Sequence, residues 1–258
     1  MAVEPKGVAL VTGASKGIGR AISLRLADDG FDIALNNRSS SKEELYTLSQ
    51  EINQKGRRTF ITIGDVSQEE DVRCMVDATV QNLGALDVMV ANAGVWGKYS
   101  PIQDINAEDW DHAFNNNTRG TFLCYKYAAQ QMIKQGRGGR IIGASSLGGR
   151  KGISGMSSYC STKFAIQGLT QSAAKDLGQH RITVNAYAPG TIETPMFETV
   201  LQNSTNRESA RAARIDETCV GYLGMPLDIA SLVSYLASKE AHFITGQTIS
   251  ANGGVYFD

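Results

Sequence analysis

A tyrosine and a lysine four residues apart, Tyr159 and Lys163, are the pair in this sequence with the clearest capacity for chemistry. They begin a predicted helix, where side chains four positions apart share a face and can contact the same ligand. A phenol with a pKa near ~10 transfers protons poorly at neutral pH, and lowering that pKa by about three units takes ~4 kcal/mol. One cation at ~4 Å supplies about that much at an effective dielectric constant of ~20. The pair predicts a phenol proton donor assisted by an ammonium group, although such pairs are also common on exposed helix faces.

A glycine-rich turn, residues 11–19, follows the first predicted strand and opens the first predicted helix. A helix N-terminus carries unpaired N–H groups and a partial positive charge, and glycine lets a pyrophosphate approach that backbone closely. The spacing is Gly-x-x-x-Gly-x-Gly rather than the Gly-x-Gly-x-x-Gly dinucleotide fingerprint. A turn needed only for the fold would look similar, but the strand before it and the helix after it favour binding. The predicted dinucleotide site comprises Gly13, Ser15, Lys16, Gly17, Ile18 and Gly19.

The residues after the second predicted strand bear on which nicotinamide cofactor would bind. A carboxylate there bonds the free 2′-hydroxyl of NAD, whereas the 2′-phosphate of NADP needs a cation. This sequence has Asn37, Arg38 and Ser39 at that place, with no Asp or Glu, and Lys16 lies in the glycine-rich turn. The pattern predicts NADP(H) as the cofactor. The alternative is that Arg38 and Lys16 are solvated surface cations.

Short β-branched apolar runs alternate with longer amphipathic stretches along the chain. This alternation is typical of a parallel sheet covered by helices on both faces, so we expect an α/β, doubly wound fold in a single domain over 1–258. A polar insertion at 191–224, partly helical around 198–215, follows a strand end and is expected to form a substrate lid. Ser41 is expected to cap the second helix, with Glu44 three residues on. The predicted strands are 8–11, 32–35, 59–63, 86–91, 140–144, 183–187 and 248–251, and the predicted helices are 18–30, 41–55, 69–83, 107–115, 118–135, 159–177 and 226–237.

The composition excludes several classes of protein. A chain of 258 residues with 42% hydrophobic and 20% charged residues can bury a full core. Its 27 glycines fall singly or in pairs at the ends of apolar runs, which is not a fibrous or disordered pattern. The 25 Lys and Arg nearly balance the 26 Asp and Glu, without basic runs, so nucleic acid is not an expected partner.

The sequence predicts neither a membrane protein nor a metal site. No apolar run approaches the ~20 residues that span a bilayer, and the N-terminal residues do not resemble a signal peptide. The cysteines lack metal-binding spacing and are expected to be buried thiols in a reducing compartment. We therefore expect a soluble, cytoplasmic protein. The four cysteines are Cys74, Cys124, Cys160 and Cys219.

Further motifs accompany the glycine-rich turn and the Tyr-x-x-x-Lys pair. They are Asn92-Ala93-Gly94, Asn117-x-x-Gly120, Ser146 and Pro189-Gly190. In this order and near these spacings, the motifs resemble the short-chain dehydrogenase/reductase family over essentially the whole chain. The resemblance implies a Rossmann-type domain with seven parallel strands, assembled as a homotetramer. It also implies hydride transfer between a nicotinamide cofactor and a small-molecule carbonyl or alcohol substrate.

The resemblance implies roles for four catalytic residues. Tyr159 would donate the proton to the carbonyl oxygen, and Lys163 would lower the tyrosine pKa and hold the nicotinamide ribose. Ser146, thirteen residues before the tyrosine, would polarise the carbonyl, with Ser145 as the alternative. Asn117 would hold a water in a proton relay, since the Asn-x-x-Gly spacing selects it from three consecutive asparagines. Its alternative is a buried asparagine with a structural role.

The remaining cofactor contacts also follow from the resemblance. An acidic residue and the next amide after the third strand would meet the adenine, and the segment after the fourth strand would line the adenosine ribose. The segment after the sixth strand would anchor the carboxamide. Together with Tyr159 and Lys163, these residues are Asp65 and Val66, then Asn92, Ala93 and Gly94, and finally Pro189, Gly190, Ile192 and Thr194.

Substrate choice is expected from three loops at the carboxyl ends of strands, 95–101, 147–158 and 191–224. Their side chains are mostly apolar, which suits a neutral carbonyl compound. They carry Trp96, Tyr99, Leu147, Met156, Met196, Phe197 and Tyr222, with Lys98, Arg150 and Lys151 as charged residues.

Within the family, the segments 159–171, 194–196 and 245–248 look most like diacetyl reductases and 2,3-butanediol dehydrogenases. We therefore expect an NADPH-dependent carbonyl reductase or secondary-alcohol dehydrogenase acting on a small neutral ketone or diketone. The alternative of the same class is a 3-oxoacyl thioester reductase. The alternative of another class is a non-catalytic protein that senses NADPH, although such proteins tend to have lost the tyrosine or the lysine.

Overall fold

The computed structural model describes residues 5–202 and 204–257, and over them strands and helices alternate as the sequence predicts. The strands are β1 Val8–Thr12, β2 Asp32–Asn37, β3 Thr59–Ile63, β4 Val88–Ala91, β5 Gly139–Ala144, β6 Ile182–Pro189 and β7 Thr248–Ala251. The helices are α1 Gly17–Asp28, α2 Lys42–Gln54, α3 Glu69–Leu83, α4 Ala107–Ala113, α5 Gly120–Gln135, α6 Ser157–Leu177, α7 Pro195–Gln202, α8 Arg207–Asp216 and α9 Pro226–Ala237.

The strands of the described residues form one parallel sheet in the order β3-β2-β1-β4-β5-β6-β7. The chain runs outward from β1 to β3 and then returns to the other side of β1, so the order reverses between β1 and β4. Such a reversal opens a crevice outside the carboxyl ends of the strands, where open α/β sheets bind ligands. The predicted Rossmann-type, doubly wound fold with seven parallel strands is confirmed.

Helices cover both faces of this sheet. Neighbouring residues of a strand point to opposite faces, so in β1 Val11 belongs to one core and Leu10 to the other. Helices α1, α2 and α9 pack on the first face, and α3, α5 and α6 pack on the second. All of β1 is buried, which is why it reads as a continuous apolar run in the sequence.

The helices nearest the carboxyl ends of β4 and β5 differ from their predicted bounds. The predicted helices 107–115 and 118–135 are joined through a π-helical segment, Phe114–Arg119. Asn117 lies in this segment and bonds to the backbone of Val95, a tertiary contact that no local pattern reveals. Helix α6 begins at Ser157, two residues before the predicted start.

Ser41 lies at the N-cap of α2 as predicted, but it does not make the hydrogen bond expected of a capping residue. Ser41 precedes the helix, yet its side chain makes no capping hydrogen bond. A short 3-10 turn, Ser39–Ser41, comes directly before α2 and gives Ser41 a φ of −118° and a ψ of 26°. A capping side chain normally stands on extended backbone, which Ser41 does not have.

The insertion at 191–224 is partly helical, as predicted, and its helical part consists of two helices, α7 and α8. Asn206 caps α8, its side chain accepting a 3.0 Å hydrogen bond from the backbone N–H of Ser209. The side chains of Arg211 and Glu193 form an ion pair that holds α8 to the segment after β6. Residue 203 lies outside the described residues, and the lid role and the single domain over 1–258 stay predictions.

The expectation of buried thiols is correct for Cys124 and Cys160 and wrong for Cys74 and Cys219, which are exposed. All four thiols are free. Among the described residues, no three His, Cys, Asp or Glu side chains are grouped as metal ligands. None of the described helices is both long enough and apolar enough to cross a membrane.

Candidate active site

A cavity of about 680 Å³ lies at the carboxyl ends of the strands, beside the reversal between β1 and β4. Its volume is within the range of about 300–1,000 Å³ that is typical of small-molecule and cofactor sites. The cavity brings together most of the predicted cofactor residues: Gly13, Lys16, Gly17, Ile18, Gly19, Asn37, Arg38, Asp65, Val66, Asn92, Ala93, Gly94, Pro189, Gly190, Ile192 and Thr194. Ser146, Tyr159 and Lys163 also line it.

The glycine-rich turn is shaped for a group that must approach the backbone closely. Gly13 has a φ of +63°, a backbone conformation that residues other than glycine rarely adopt. A Cβ on Gly19 would lie 2.2 Å from the carbonyl oxygen of Gly13, so only glycine fits there. No side chain caps α1, and its first residues, Gly17, Ile18 and Gly19, line the cavity, so the positive end of the helix dipole lies there. This cradle fits the pyrophosphate of a dinucleotide.

Two predicted residues of this region, Ser15 and Ser39, do not line the cavity. Ser15 is buried, and its hydroxyl accepts a 2.6 Å hydrogen bond from the side-chain amide of Asn37. This bond ties the glycine-rich turn to the end of β2. Ser39 does not line the cavity, whereas its neighbours Ser40 and Ser41 do.

Lys16 and Arg38 both line the cavity and are exposed. Within the described part of the chain, neither side chain makes an ion pair. The two cations are therefore available to an anionic group at the end of β2.

The two serines at the end of β5 have different partners. The hydroxyl of Ser145 is buried and donates a 3.0 Å hydrogen bond to the backbone carbonyl of Lys163. The hydroxyl of Ser146 accepts a 3.1 Å hydrogen bond from the backbone N–H of Gly148, and its interaction with Tyr159 lowers the pKa of that phenol against the larger effect of burial. Ser146 is thus the serine that influences the tyrosine, and its catalytic role stays a prediction.

Tyr159 and Lys163 lie on the same face of α6 and are both buried. The ammonium nitrogen of Lys163 is 5.6 Å from the centre of the Tyr159 ring and donates a 2.8 Å hydrogen bond to the carbonyl of Ala144. Gly94 packs directly against them, since a Cβ there would lie 3.5 Å from that nitrogen. The end of β5, α6 and the segment after β4 therefore converge on one place.

Burial dominates the protonation of this pair. It raises the pKa of Tyr159 to about 12, against a smaller lowering by the hydrogen bond with Ser146. It lowers the pKa of Lys163 to about 8, because a buried ammonium loses its hydration. The expected lowering of the tyrosine pKa by Lys163 is therefore not found, since the sequence argument omitted the cost of burying both groups. At neutral pH the phenol keeps its proton and most of the lysine is charged.

Asn117 lies behind the cavity wall rather than on it. Its side-chain oxygen accepts a 2.7 Å hydrogen bond from the Val95 N–H, and its amide donates to the Val95 carbonyl and to the Thr162 hydroxyl, at 2.9 and 3.1 Å. The backbone carbonyl of Asn117 accepts a bond from the hydroxyl of Thr121. These contacts fix the segment after β4 against α6, whereas the neighbouring Asn116 lines the cavity.

The other end of the cavity is mostly apolar. The ring of Trp96 packs against that of Tyr159, with their centres 4.8 Å apart. Of the predicted substrate-loop residues, Tyr99, Tyr222, Lys98 and Arg150 do not line this cavity. The lining side chains are Trp96, Leu147, Lys151, Ile153, Met156, Met196, Phe197, Val200, Arg214 and Glu217.

One residue that lines the cavity, Tyr187 of β6, was not predicted from the sequence. It lines the cavity, and its hydroxyl donates a 2.9 Å hydrogen bond to the side-chain oxygen of Asn92. An aromatic residue within an apolar strand looks like ordinary core. The polar partner of its hydroxyl lies 95 residues away in the chain, so nothing local marks it.

Comparison with known proteins agrees with this geometry. The model of the short chain dehydrogenase family matches residues 7–205. The chain belongs to the short-chain dehydrogenase family. This short-chain dehydrogenase is 49% identical, over 97% of its length, to a short-chain dehydrogenase/reductase of Armillaria gallica, of which the match covers 96%.

Two further relatives of this short-chain dehydrogenase have more specific names. A 3-oxoacyl-[acyl-carrier-protein] reductase of Staphylococcus aureus is 39% identical, and the match covers 96% of this chain and 97% of that one. The crystal structure of an acetoin dehydrogenase from Salmonella typhimurium superposes on this chain with a TM-score of 0.86. The two sequences are 36% identical, and the match covers 96% of each chain. The short-chain dehydrogenase is therefore an oxidoreductase of CH–OH and C=O groups that uses a nicotinamide cofactor.

Proposed function

We propose that this short-chain dehydrogenase is an NADPH-dependent carbonyl reductase, or secondary-alcohol dehydrogenase, acting on a small neutral ketone or diketone. The observation that carries the proposal is the convergence of Ser146, Tyr159 and Lys163 on a cavity whose other end is the cradle at Gly13–Gly19. That arrangement supports both a cofactor and a carbonyl in one space.

The protein groups supply the proton and the polarisation of the carbonyl. The Ser146 and Tyr159 hydroxyls together bind the carbonyl oxygen, and as its π bond breaks the oxygen takes the proton of Tyr159. When bound, the reduced nicotinamide supplies the hydride that forms the new C–H bond, and it ends oxidised. Tyr159 then regains a proton from solvent, and the product is a secondary alcohol.

The protonation states described above suit the reductive direction. A buried phenol with a pKa of about 12 carries its proton at neutral pH, as a donor must. Lys163 is charged below its pKa of about 8, and its ammonium nitrogen lies 5.6 Å from the centre of the Tyr159 ring. Its ammonium group would also hold the ribose hydroxyls of the nicotinamide. Asn117 would position these groups by fixing the segment after β4 against α6.

The choice of NADPH over NADH rests on Lys16 and Arg38. Both are cations without an ion-pair partner among the described residues, and the cavity reaches both. A charge-assisted hydrogen bond to a phosphate contributes about 1.5–3 kcal/mol, so one such contact favours NADPH by roughly 10–100-fold.

The apolar lining beside Tyr159 supports a compact, uncharged carbonyl compound as the substrate. Trp96, Leu147 and Met156 lie close to the reacting groups. The similarity to an acetoin dehydrogenase also supports small ketones and diketones such as acetoin and diacetyl.

A second candidate function is the reduction of a 3-oxoacyl thioester. Two cations, Lys151 and Arg214, line the substrate end of the cavity, although Arg214 is paired with Glu217 at 2.7 Å. Cations there would suit the phosphate of a thioester carrier, and the Staphylococcus aureus relative is a 3-oxoacyl-[acyl-carrier-protein] reductase. A protein that only senses NADPH is less well supported, since the tyrosine and the lysine are both present.

We also propose a homotetramer, as is common in the family. Phe122 of α5 and Phe164 of α6 are large apolar side chains that are each 45% exposed, and a second subunit would cover them. Light scattering of the purified protein tests the subunit number, with four expected and one contradicting the proposal.

The test of the proposed function is a panel of carbonyl compounds assayed with NADPH and with NADH. Diacetyl, acetoin, an acetoacetyl thioester and a bulky aryl ketone separate the candidates. We expect the highest kcat/KM for diacetyl or acetoin with NADPH. A preference for the thioester supports the second candidate, and binding of NADPH without any turnover supports a sensor.

A further inference from the structure

Tyr187 lies near the carboxyl end of β6 and lines the cavity. It belongs to β6, its side chain is 1% exposed, and its ring packs in the core that also contains Val11 of β1. Burial raises the pKa of its phenol well above the usual value, so the hydroxyl keeps its proton throughout the working pH range. It is therefore a permanent hydrogen-bond donor.

The acceptor of that hydrogen bond is the side-chain oxygen of Asn92, 2.9 Å away. The amide group of the same side chain donates to the backbone carbonyls of Thr12 and Gly13, at 2.9 and 3.2 Å. Turning the amide over would place its oxygen against two carbonyls and its NH₂ group against a phenol proton. Both ends of Asn92 thus specify the same orientation.

Asn92 is in close contact with the glycine-rich turn. A Cβ on Gly19 would lie 2.6 Å from the Asn92 amide nitrogen, and a Cβ on Gly13 would lie 3.0 Å from it. Both glycines therefore pack closely on this amide. A shift of Asn92 would alter the turn itself.

We propose that Tyr187 is a positioning residue for the cofactor, whose hydroxyl fixes Asn92 and through it the glycine-rich turn. The inference rests on the proposed binding of a nicotinamide dinucleotide at that turn. It gives β6 a second function, because the strand that leads into Pro189–Gly190 also stabilises the phosphate cradle beside β1. Tyr187 needs no contact with the reacting atoms for this effect.

The test compares Tyr187→Phe with Tyr125→Phe. Tyr125 is a matched control, since its hydroxyl is also buried but lies in the opposite core, away from the cavity, where it bonds to the Thr170 hydroxyl at 3.0 Å and donates to the Asn185 carbonyl at 3.5 Å. Each variant loses one buried phenol hydroxyl and keeps the ring. The measurements are the dissociation constant of NADPH, from a fluorescence titration, and unfolding of the cofactor-free protein in urea.

We expect both variants to lose stability, because each leaves a buried partner without its hydrogen bond. Only Tyr187→Phe should bind NADPH more weakly, by roughly tenfold. Its KM for NADPH should rise in parallel, with a smaller change in kcat at saturating cofactor. A purely structural role would lower stability in both variants and leave the two dissociation constants alike.

Equal NADPH affinity in Tyr187→Phe and the wild type overturns the proposal, and so does an equal loss of affinity in both variants. If Tyr187→Phe does not fold, Asn92→Asp replaces it, since it keeps the acceptor for Tyr187 and removes the donors to Thr12 and Gly13. Unchanged affinity in that variant also overturns the proposal. A wild-type protein that binds neither NADPH nor NADH contradicts the proposed function instead, so the two failures are distinguishable.

Discussion

At the scale of single residues, the two adjacent serines that follow β5 have different partners. Ser146 lowers the pKa of the Tyr159 phenol, whereas Ser145 donates to the backbone of α6. A Cβ on Gly149 would lie 2.4 Å from the Ser145 oxygen, so that hydroxyl is tightly enclosed. The family spacing could select Ser146 from the sequence. The hydrogen bond of Ser145 could not be predicted, because its acceptor is a backbone carbonyl that lies nearby only in the folded chain.

Replacing each serine by alanine tests this division. Ser146→Ala should lower kcat by about 10²–10³-fold, the usual cost of removing a donor that binds a developing oxyanion. Ser145→Ala should keep kcat within about tenfold and lower the free energy of unfolding by about 1 kcal/mol. Steady-state kinetics and urea unfolding measure the two effects. The reverse pattern would assign the carbonyl contact to Ser145.

The buried lysine predicts a pH dependence of stability. The pKa of Lys163 is lowered from 10.5 to about 8 on folding, so between these values the unfolded chain binds more protons than the folded protein. Stability from this residue therefore rises with pH across that window, and the cost of burying the charge is fully present below about pH 8. Relative to Lys163→Met, the wild type should gain about 3 kcal/mol between those limits.

Urea unfolding of the cofactor-free proteins at several pH values measures this difference. Comparing the two proteins removes the contributions of other groups that titrate in the same range. The difference in free energy of unfolding between the wild type and Lys163→Met should change with pH. A difference that stays constant, or that increasingly favours Lys163→Met as the pH rises, would contradict burial as the cause of the lowered lysine pKa.

At the scale of elements, the strand and helix order was predictable because most strands are short apolar runs and most helices have an apolar face. The π-helical segment at Phe114–Arg119 was not, since it depends on the bonds of Asn117 to Val95 and Thr162. The partial helicity of the insertion was predictable, but its division into α7 and α8 was not, because Asn206 begins α8 with its own cap. Local patterns specify elements, and contacts distant in the chain specify their irregular ends.

The glycine-rich turn gives a prediction at this scale. Gly19→Ala should abolish detectable cofactor binding, because its Cβ would lie 2.2 Å from a backbone oxygen that cannot move without opening the turn. Gly168→Ala is the control, since that glycine lies within α6 and a Cβ there would meet nothing within 4 Å. The control should bind NADPH normally and gain up to about 1 kcal/mol of stability. Calorimetric titration measures NADPH binding and urea unfolding measures stability. Normal NADPH binding by Gly19→Ala would contradict the assignment of the glycine-rich turn as the phosphate cradle.

At the scale of the whole molecule, one sheet supports both cores and the site. Each core combines residues from the first and last thirds of the chain, for example Val11 with Val233 and Leu10 with Leu177. The cavity likewise draws its walls from the ends of β1, β4, β5 and β6. Neither half of the chain can therefore complete a core or the site by itself.

This shared sheet predicts a single cooperative unfolding transition. Fluorescence of the two tryptophans, Trp96 and Trp110, should report the same urea midpoint as far-UV circular dichroism. NADPH should raise that midpoint for both probes together, since it binds only the folded state. Two separate midpoints would show that the chain unfolds as more than one domain.

The phenol of Tyr159 is the centre of the proposed chemistry. Tyr159→Phe removes only the hydroxyl and keeps the ring packed against Trp96. The decisive measurement is NADPH oxidation by this variant with the best carbonyl substrate, alongside its dissociation constant for NADPH. We predict a fall in kcat of at least about 10²-fold with NADPH affinity unchanged. Turnover equal to that of the wild type would contradict Tyr159 as the proton donor and with it the proposed mechanism.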